Sequence, residues 1–285
     1  ECTMKGRTVV VTGATSGLGL AASKSLADFG ARVVLVGRNP DKAERVRQDV
    51  IAASGNENVT VQLADLGLMS EVRKLAARLL ESEPAIHVLV NNAAILPAER
   101  ELTAEGLEQT FATNLLSPYL LTELLLPRLR ESAPARIVNV LSGGMYLSGI
   151  EPRDLEYARG DFDGSRAYAR AKRALMILTE QWAGELEENG VVINAMHPGW
   201  ADTPGVEGSL PGFYRLMRPL LRSPEQGADT ITWLACAAEA GEASGQFYLD
   251  REPHVTTVIP GTGGNTRQRR ELRATLDEYI TRPVD

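Results

Sequence analysis

Short apolar runs alternate along this chain with longer segments in which apolar residues recur at helical spacing. The short runs suit strands buried on both faces, and the longer ones suit helices laid over them. "RTVVVTG" predicts a first strand, and "GLGLAASKSLADFG" a helix that stops at Gly30. "ARVVLVG" and "DKAERVRQDVIAAS" repeat the unit, followed by the strands "VTVQLAD" and "IHVLVNNA" with the helix "SEVRKLAARLL" between them. A helix from about Thr103 to Arg130, the strand "ARIVNVLS", a helix through Tyr168, and the strand "GVVINAMHPG" come next. A helix near Pro224 to Ala238, a last strand "GQFYLD" and the helix "RQRRELRATLDEYI" complete the chain. This rhythm predicts an α/β fold: one Rossmann-type, doubly wound parallel sheet with helices on both faces.

Composition narrows the class without changing the fold. The 285 residues are 44% hydrophobic and 24% charged, and no linker or low-complexity run divides them, so one domain is expected over residues 1–285. A net charge of -7 argues against nucleic acid as a partner, because phosphate binding needs clustered Lys and Arg. The most apolar run, "LLSPYLLTELLLPRL", is interrupted by Pro118, Glu123, Pro127 and Arg128 and is too short to span a bilayer. Cys2 and Cys236 make no CxxC pair and suggest a reduced, cytoplasmic chain without a disulfide. "NVT" at Asn58 matches a glycosylation sequon, a triplet common by chance. His87, His197 and His254 are isolated, so no metal site is expected. The chain starts at Glu1, not Met, and an upstream piece carrying a signal or anchor is compatible with that start.

The first strand runs into "TGATSGLG", Thr12 to Gly19, which opens a helix. Gly13, Gly17 and Gly19 let the backbone turn sharply against a pyrophosphate, and the helix N-terminus offers free N–H groups. Strand two ends Val36-Gly37-Arg38, with no acidic residue to accept from a ribose. An arginine there suits a 2′-phosphate, which predicts NADP(H) over NAD(H).

Two tyrosines compete for proton chemistry, in "YARGD" at Tyr157 and "YARAK" at Tyr168. If both lie on helices, Tyr168 has Lys172 one turn on, whereas Tyr157 has Asp161. An ammonium makes a phenol a better acid and a carboxylate a worse one, which selects Tyr168.

TGATSGLG, Asp65 in "LADL", "NNAA" at 91–94, Asn114, Ser142, YARAK and "HPGWADT" resemble, in that order, the short-chain dehydrogenase/reductase superfamily. "LSGGM", "FDG", "HPGWADTPGV" and "QGADT" are similar to its retinol-dehydrogenase-like branch. That branch carries an insertion between serine and tyrosine, which fits "YLSGIEPRDLEYARGDFDG" and again favours Tyr168. The resemblance implies hydride transfer between a nicotinamide dinucleotide and an alcohol or carbonyl. It assigns catalysis to Asn114, Ser142, Tyr168 and Lys172: the tyrosine as proton donor, the serine bonding the substrate oxygen, the asparagine holding a relay water. It implies dinucleotide contacts from Gly13, Ser16, Gly17, Leu18, Gly19, Arg38, Asp65, Leu66, Asn92, Ala93, Tyr168, Lys172, Pro198, Gly199 and Thr203. "NNAA" departs from the commoner NNAG at Ala94, and the tail from about 253 to 285 lacks the usual terminal glycine pattern.

The resemblance places a substrate loop at about residues 203–223. Phe213, Leu216, Met217, Leu220 and Leu221 recur there at helical spacing, while Arg215, Arg218 and Arg222 share another side. This predicts an apolar lid selecting a lipophilic alcohol or carbonyl, with arginines giving at most weak contact with a membrane surface. The helices around Leu120–Leu126 and Leu175–Trp182 are candidates for the family's homodimer face or for core. Two other readings compete. A catalytically weak NADP(H)-binding regulator would typically lose the Tyr or Lys that this chain keeps. A nucleotide-sugar epimerase would carry a GxxGxxG loop and a larger C-terminal lobe.

Overall fold

The computed structural model describes residues 2–199 and 221–282. Seven strands run parallel: β1 (Thr8–Thr12), β2 (Arg32–Gly37), β3 (Val59–Leu63), β4 (Val88–Asn91), β5 (Ala135–Val140), β6 (Val191–Met196) and β7 (Phe247–Leu249). The sheet order is β3-β2-β1-β4-β5-β6-β7-β8, with β8 (Glu252–His254) antiparallel to β7 at the edge. Every residue of β1 is buried, as its unbroken apolar run requires for a strand covered on both faces. Helices α1 (Gly17–Asp28), α2 (Pro40–Ser54) and α7 (Pro224–Cys236) cover one face. Helices α3 (Met69–Ser82), α5 (Ser117–Glu131), α6 (Gly164–Leu186) and α8 (Thr266–Thr281) pack on the other. Strand order reverses between β1 and β4, and ligands of open α/β sheets bind at the strand ends beside such a reversal.

The expected helix from Thr103 starts later. Leu102 and Glu108 form an isolated bridge, and the Glu108 carboxylate caps the short helix α4 (Gln109–Phe111) by accepting from Thr110 N and Phe111 N, both at 2.7 Å. A π-helical turn (Ala112–Leu116) follows before α5. The last strand is likewise not "GQFYLD" alone. Asp250 and Arg251 take φ of 53° and 64°, turning the chain back into β8, where Pro253 sits on the outermost strand.

Two further expectations change, and one pair of alternatives narrows. Cys2 and Cys236 form a disulfide, with Cα atoms 5.4 Å apart, because the N-terminal segment runs alongside the end of α7. That bond contradicts the reduced pair expected from spacing alone. Tyr157 does not lie on a helix: it sits at φ 48° in a turn before α6, so Asp161 is not its helical neighbour. Its ring is buried, with the Arg170 guanidinium 4.4 Å from its centre. Finally, Leu120–Leu121, Leu125–Leu126 and Trp182 are buried within the chain. Helix α8 packs there: Leu272 and Leu276 are fully buried, and Arg273 pairs with Glu123 at 2.6 Å above the stacked rings of Tyr119 and Trp182. The Tyr119 hydroxyl donates to Asp277, and the Tyr279 hydroxyl donates to Glu156 Oε1 at 2.5 Å. Among the described residues, no helix is long and apolar enough to cross a membrane.

Candidate active site

A cleft of about 1130 Å³ opens along the C-terminal ends of β1, β2, β4, β5 and β6. Its floor at one end is the loop between β1 and α1. Gly13 has φ +63°, and a Cβ there would lie 2.8 Å from Ala93 Cα. Gly19 faces inward on α1: a Cβ would sit 2.4 Å from the Gly13 carbonyl oxygen and 2.5 Å from Asn92 Nδ2. Glycine is therefore the residue that lets helix and loop pack closely, leaving a cradle of bare backbone at the helix N-terminus. The cradle is tied to β4 by Thr12, whose hydroxyl accepts from Asn92 N (2.9 Å) and Ala93 N (3.1 Å). Asn92 Nδ2 in turn donates to Thr12 O at 2.9 Å. Sequence reasoning named Asn92 and Ala93 but missed Thr12, whose position as the last residue of a strand gives little signal.

Of the expected dinucleotide contacts, Gly13, Ser16, Gly17, Leu18 and Arg38 line this end of the cleft. Asp65, Leu66, Asn92, Ala93, Pro198 and Gly199 line it as well. Gly19 acts one layer behind, through the packing just described. Asp65 Oδ1 accepts from Gly67 N at 2.9 Å, so its carboxylate shapes the turn after β3 at the cleft wall. Exposed Arg38 is joined by exposed Lys42 on the first turn of α2, whose N-terminus is capped by Asn39. Lys42 was not anticipated, although its place four residues beyond the arginine at a helix start was available. Thr203, the apolar lid residues Phe213, Leu216, Met217 and Leu220, and Arg215 and Arg218 lie outside the described residues. Arg222, expected on a cationic face, instead pairs with Asp250, its Nη2 2.8 Å from Oδ2.

At the other end of the cleft stand Ser142, Tyr168 and Lys172. Ser142 follows β5 in extended backbone and accepts from Gly144 N at 3.2 Å, which starts a 3₁₀ turn, Gly143–Leu147. Tyr168 and Lys172 share a face of α6, whose N-terminus is fixed by Asp163 accepting from Arg166 N at 3.0 Å. The Lys172 Nζ lies 5.6 Å from the Tyr168 ring centre and donates to Val140 O at 2.8 Å.

Burial, more than mutual contact, sets their acidities. It pushes the Tyr168 phenol up to about 12, with the Ser142 hydroxyl pulling the other way, and pushes Lys172 down to about 8. The acidifying effect expected of a neighbouring ammonium on Tyr168 is outweighed here by desolvation. Asn114 is fully buried in the π turn and locked to one backbone position, accepting from Ile95 N and donating to Ile95 O, both at 2.8 Å. It backs the cleft without lining it, while Ile95 does line it. His197, also unanticipated, lines the cleft with Nδ1 buried and without a hydrogen-bond partner among the described residues, and burial pushes it down to about 4.

Known proteins agree with this geometry. A family model described as short chain dehydrogenase matches residues 7–211. Human dehydrogenase/reductase SDR family member 12 is 41% identical over 261 residues, spanning 91% of this chain and 81% of its own length. Human retinol dehydrogenase 13 is 33% identical, spanning 87% of this chain and 77% of its own. Among solved structures, an uncharacterized protein from Mycobacterium paratuberculosis superposes with a TM-score of 0.79 at 25% identity, covering 100% of this chain and 97% of that one. A protein described as an NAD(P)-dependent gluconate 5-dehydrogenase from Beutenbergia cavernae, solved with bound NADP at low occupancy, gives 0.70 at 26% identity, with 86% and 95% covered. The chain belongs to the short-chain dehydrogenase/reductase superfamily of oxidoreductases, in its retinol-dehydrogenase-like branch.

Proposed function

We propose that this chain interconverts a lipophilic alcohol and its carbonyl with NADP(H), using Ser142, Tyr168 and Lys172. The observation that carries the reading is the sharing of one cleft by the glycine cradle and the Ser142–Tyr168–Lys172 group. A nicotinamide dinucleotide supplies or takes up the hydride when bound. The cradle fits its pyrophosphate, because glycine at 13 and 19 lets the loop and α1 pack tightly on Asn92 and Ala93, leaving the N-terminus of α1 open to the cleft lined by Gly13, Ser16, Gly17 and Leu18. Arg38 and Lys42 put two cations on the cleft wall beyond β2, and such a pair suits a 2′-phosphate, which supports NADP(H) over NAD(H). The bound NADP of the Beutenbergia cavernae relative is consistent with this choice.

The residues account for the protons. In reduction, negative charge develops on the substrate oxygen and an acid must meet it. Tyr168, pushed up to about 12, holds its proton at neutral pH and is placed to deliver it. Ser142 faces the same space and can donate to that oxygen, an oxyanion-type contact. Lys172, about 8, is mostly charged at pH 7 and stabilises the phenolate left behind. Asn114 is a candidate to seat a relay water, its amide orientation being fixed by Ile95. Apolar Ile95, Leu96, Leu102 and Leu147 line the cleft, and Leu147 is 79% exposed, which favours a lipophilic substrate.

NADPH consumption against a panel of aldehydes, ketones and retinoids tests the reading. Tyr168→Phe should abolish turnover with NADPH affinity kept, and Tyr157→Phe should leave turnover nearly intact. An active Tyr168→Phe protein overturns the assignment.

A further inference from the structure

Arg173 follows Lys172 on α6 and is 1% exposed, yet no carboxylate lies within ion-pair distance of it among the described residues. A buried guanidinium without a counter-ion is costly unless backbone acceptors replace the water it has lost. Here carbonyls do so for Nε and Nη1, while Nη2 is buried with no partner among the described residues. Nε donates to Met145 O at 3.0 Å, with Ser148 O at 3.4 Å, and Nη1 donates to Thr256 O at 2.5 Å. The guanidinium carbon also lies 5.9 Å from the centre of the Tyr146 ring. Tyr146 reaches the same segment from the other side, its hydroxyl donating to Val255 O at 2.5 Å.

These contacts join three pieces of chain. One is α6, which carries Tyr168 and Lys172. The second is the turn that begins at Ser142 and places Tyr146 and Leu147 on the cleft wall. The third is the stretch after β8, Val255 and Thr256. Ser142 bonds only the near end of the turn, its hydroxyl accepting from Gly144 N at 3.2 Å and its carbonyl from Met145 N at 3.1 Å, so its position depends on what fixes Met145 and the turn's far end.

We propose that Arg173 is a positioning residue: by clamping residues 145–148 and 255–256 to α6, it sets Ser142 and the Tyr146–Leu147 wall against Tyr168. The clamp needs a fork. The Nε and Nη1 of one planar group serve carbonyls from two separate segments, whereas a lysine ammonium is a single point on a flexible stem. The proposal rests on the reading of Ser142 and Tyr168 given above, but half of its test does not.

The experiment compares wild type, Arg173→Lys and Tyr146→Phe, the last removing one anchor without touching a buried charge. Hydrogen exchange of the substrate-free protein is read at the amides of 143–148 and 252–258. Both variants should exchange faster there, with α1 and β1 unchanged. Turnover is read with NADPH and decanal, and the pH profile with NADP and decan-1-ol. For Arg173→Lys, kcat should fall on the order of 10- to 100-fold, as expected for sub-ångström to ångström misplacement, while NADPH affinity stays within about twofold. The alkaline pKa of the oxidation profile should move up, because a loosened Ser142 no longer lowers that of Tyr168. Unchanged exchange in Arg173→Lys overturns the clamp, whatever the turnover. Faster exchange or a lower melting temperature with unaltered kcat and pH profile would make Arg173 structural only, and overturns the positioning role. Should decanal and decan-1-ol show no turnover in wild type, the substrate reading fails, and exchange alone decides the clamp.

Discussion

Lys172 offers a quantitative test of what the candidate site costs the fold. The side chain is 2% exposed, its ammonium bonded to the Val140 carbonyl at 2.8 Å, and burial lowers it from 10.5 to about 8. Because the folded value lies below the unfolded one, the unfolded chain holds this proton more tightly, and protonation opposes folding. The penalty is full below pH 8 and disappears above about 10.5. At about 1.4 kcal/mol per pH unit between the two values, it is roughly 3 kcal/mol at pH 7 and roughly 1.4 kcal/mol at pH 9.5. In Lys172→Met the penalty is gone, and the Val140 carbonyl, left without its donor, returns about 1 kcal/mol at either pH. Urea unfolding without coenzyme should therefore find the variant more stable by about 2 kcal/mol at pH 7, and nearly equal to wild type at pH 9.5. In the folded chain Tyr168, pushed up to about 12, still holds its proton at the higher pH. A stability difference that is the same at both pH values, or a variant less stable at pH 7, would refute the reasoning. Turnover should be lost in either case.

Arg38→Ala should weaken NADPH binding by roughly 1.5–3 kcal/mol and leave NADH almost unchanged, since only the former carries the 2′-phosphate; equal losses by titration would remove Arg38 from that site. Gly19→Ala drives a methyl into the Gly13 carbonyl and Asn92, so it should cost about 1–3 kcal/mol in thermal unfolding and abolish coenzyme binding. A fully functional Gly19→Ala protein would contradict the close packing. The Cys2–Cys236 bond closes a loop of 234 residues, for which chain entropy gives about 5 kcal/mol as an upper value. Native protein purified without reductant should show no titratable thiol, and Cys2→Ser should lower the melting temperature; two free thiols in the native state would contradict the bond.

The sheet was legible because β1, β2, β4, β5 and β6 are unbroken apolar runs separated by amphipathic helices, and the glycine loop sits where one becomes the other. The same holds for YARAK, since two residues four apart on a helix must share a face. What escaped reading depends on contacts between distant residues. The Cys2–Cys236 bond joins opposite ends of the chain, and no spacing rule foretells it. Tyr157 was judged by a helix that does not form, because Asp163 caps α6 after it. The β7–β8 turn is built from Asp250 and Arg251 in the left-handed region without a glycine, so no turn motif marks it. Glu108 as a helix cap, and the π turn that aims Asn114 at Ile95, are choices of packing over local preference.

Helix α8 ends a relay that reaches the candidate site. Tyr279 holds Glu156, Glu156 Oε2 accepts from Glu108 N at 3.0 Å, and the Glu108 carboxylate caps the turn leading into Asn114. Most of a helix's stability in a protein comes from packing its apolar face, so α8 keeps its form by staying docked through Leu272 and Leu276. Docking and site geometry then become one cooperative unit: when α8 peels away, Glu156 loses a partner and the support beneath Asn114 slackens. Catalytic output would thus report the state of a surface helix that does not line the cleft, and a fusion placed behind α8 would alter the enzyme itself.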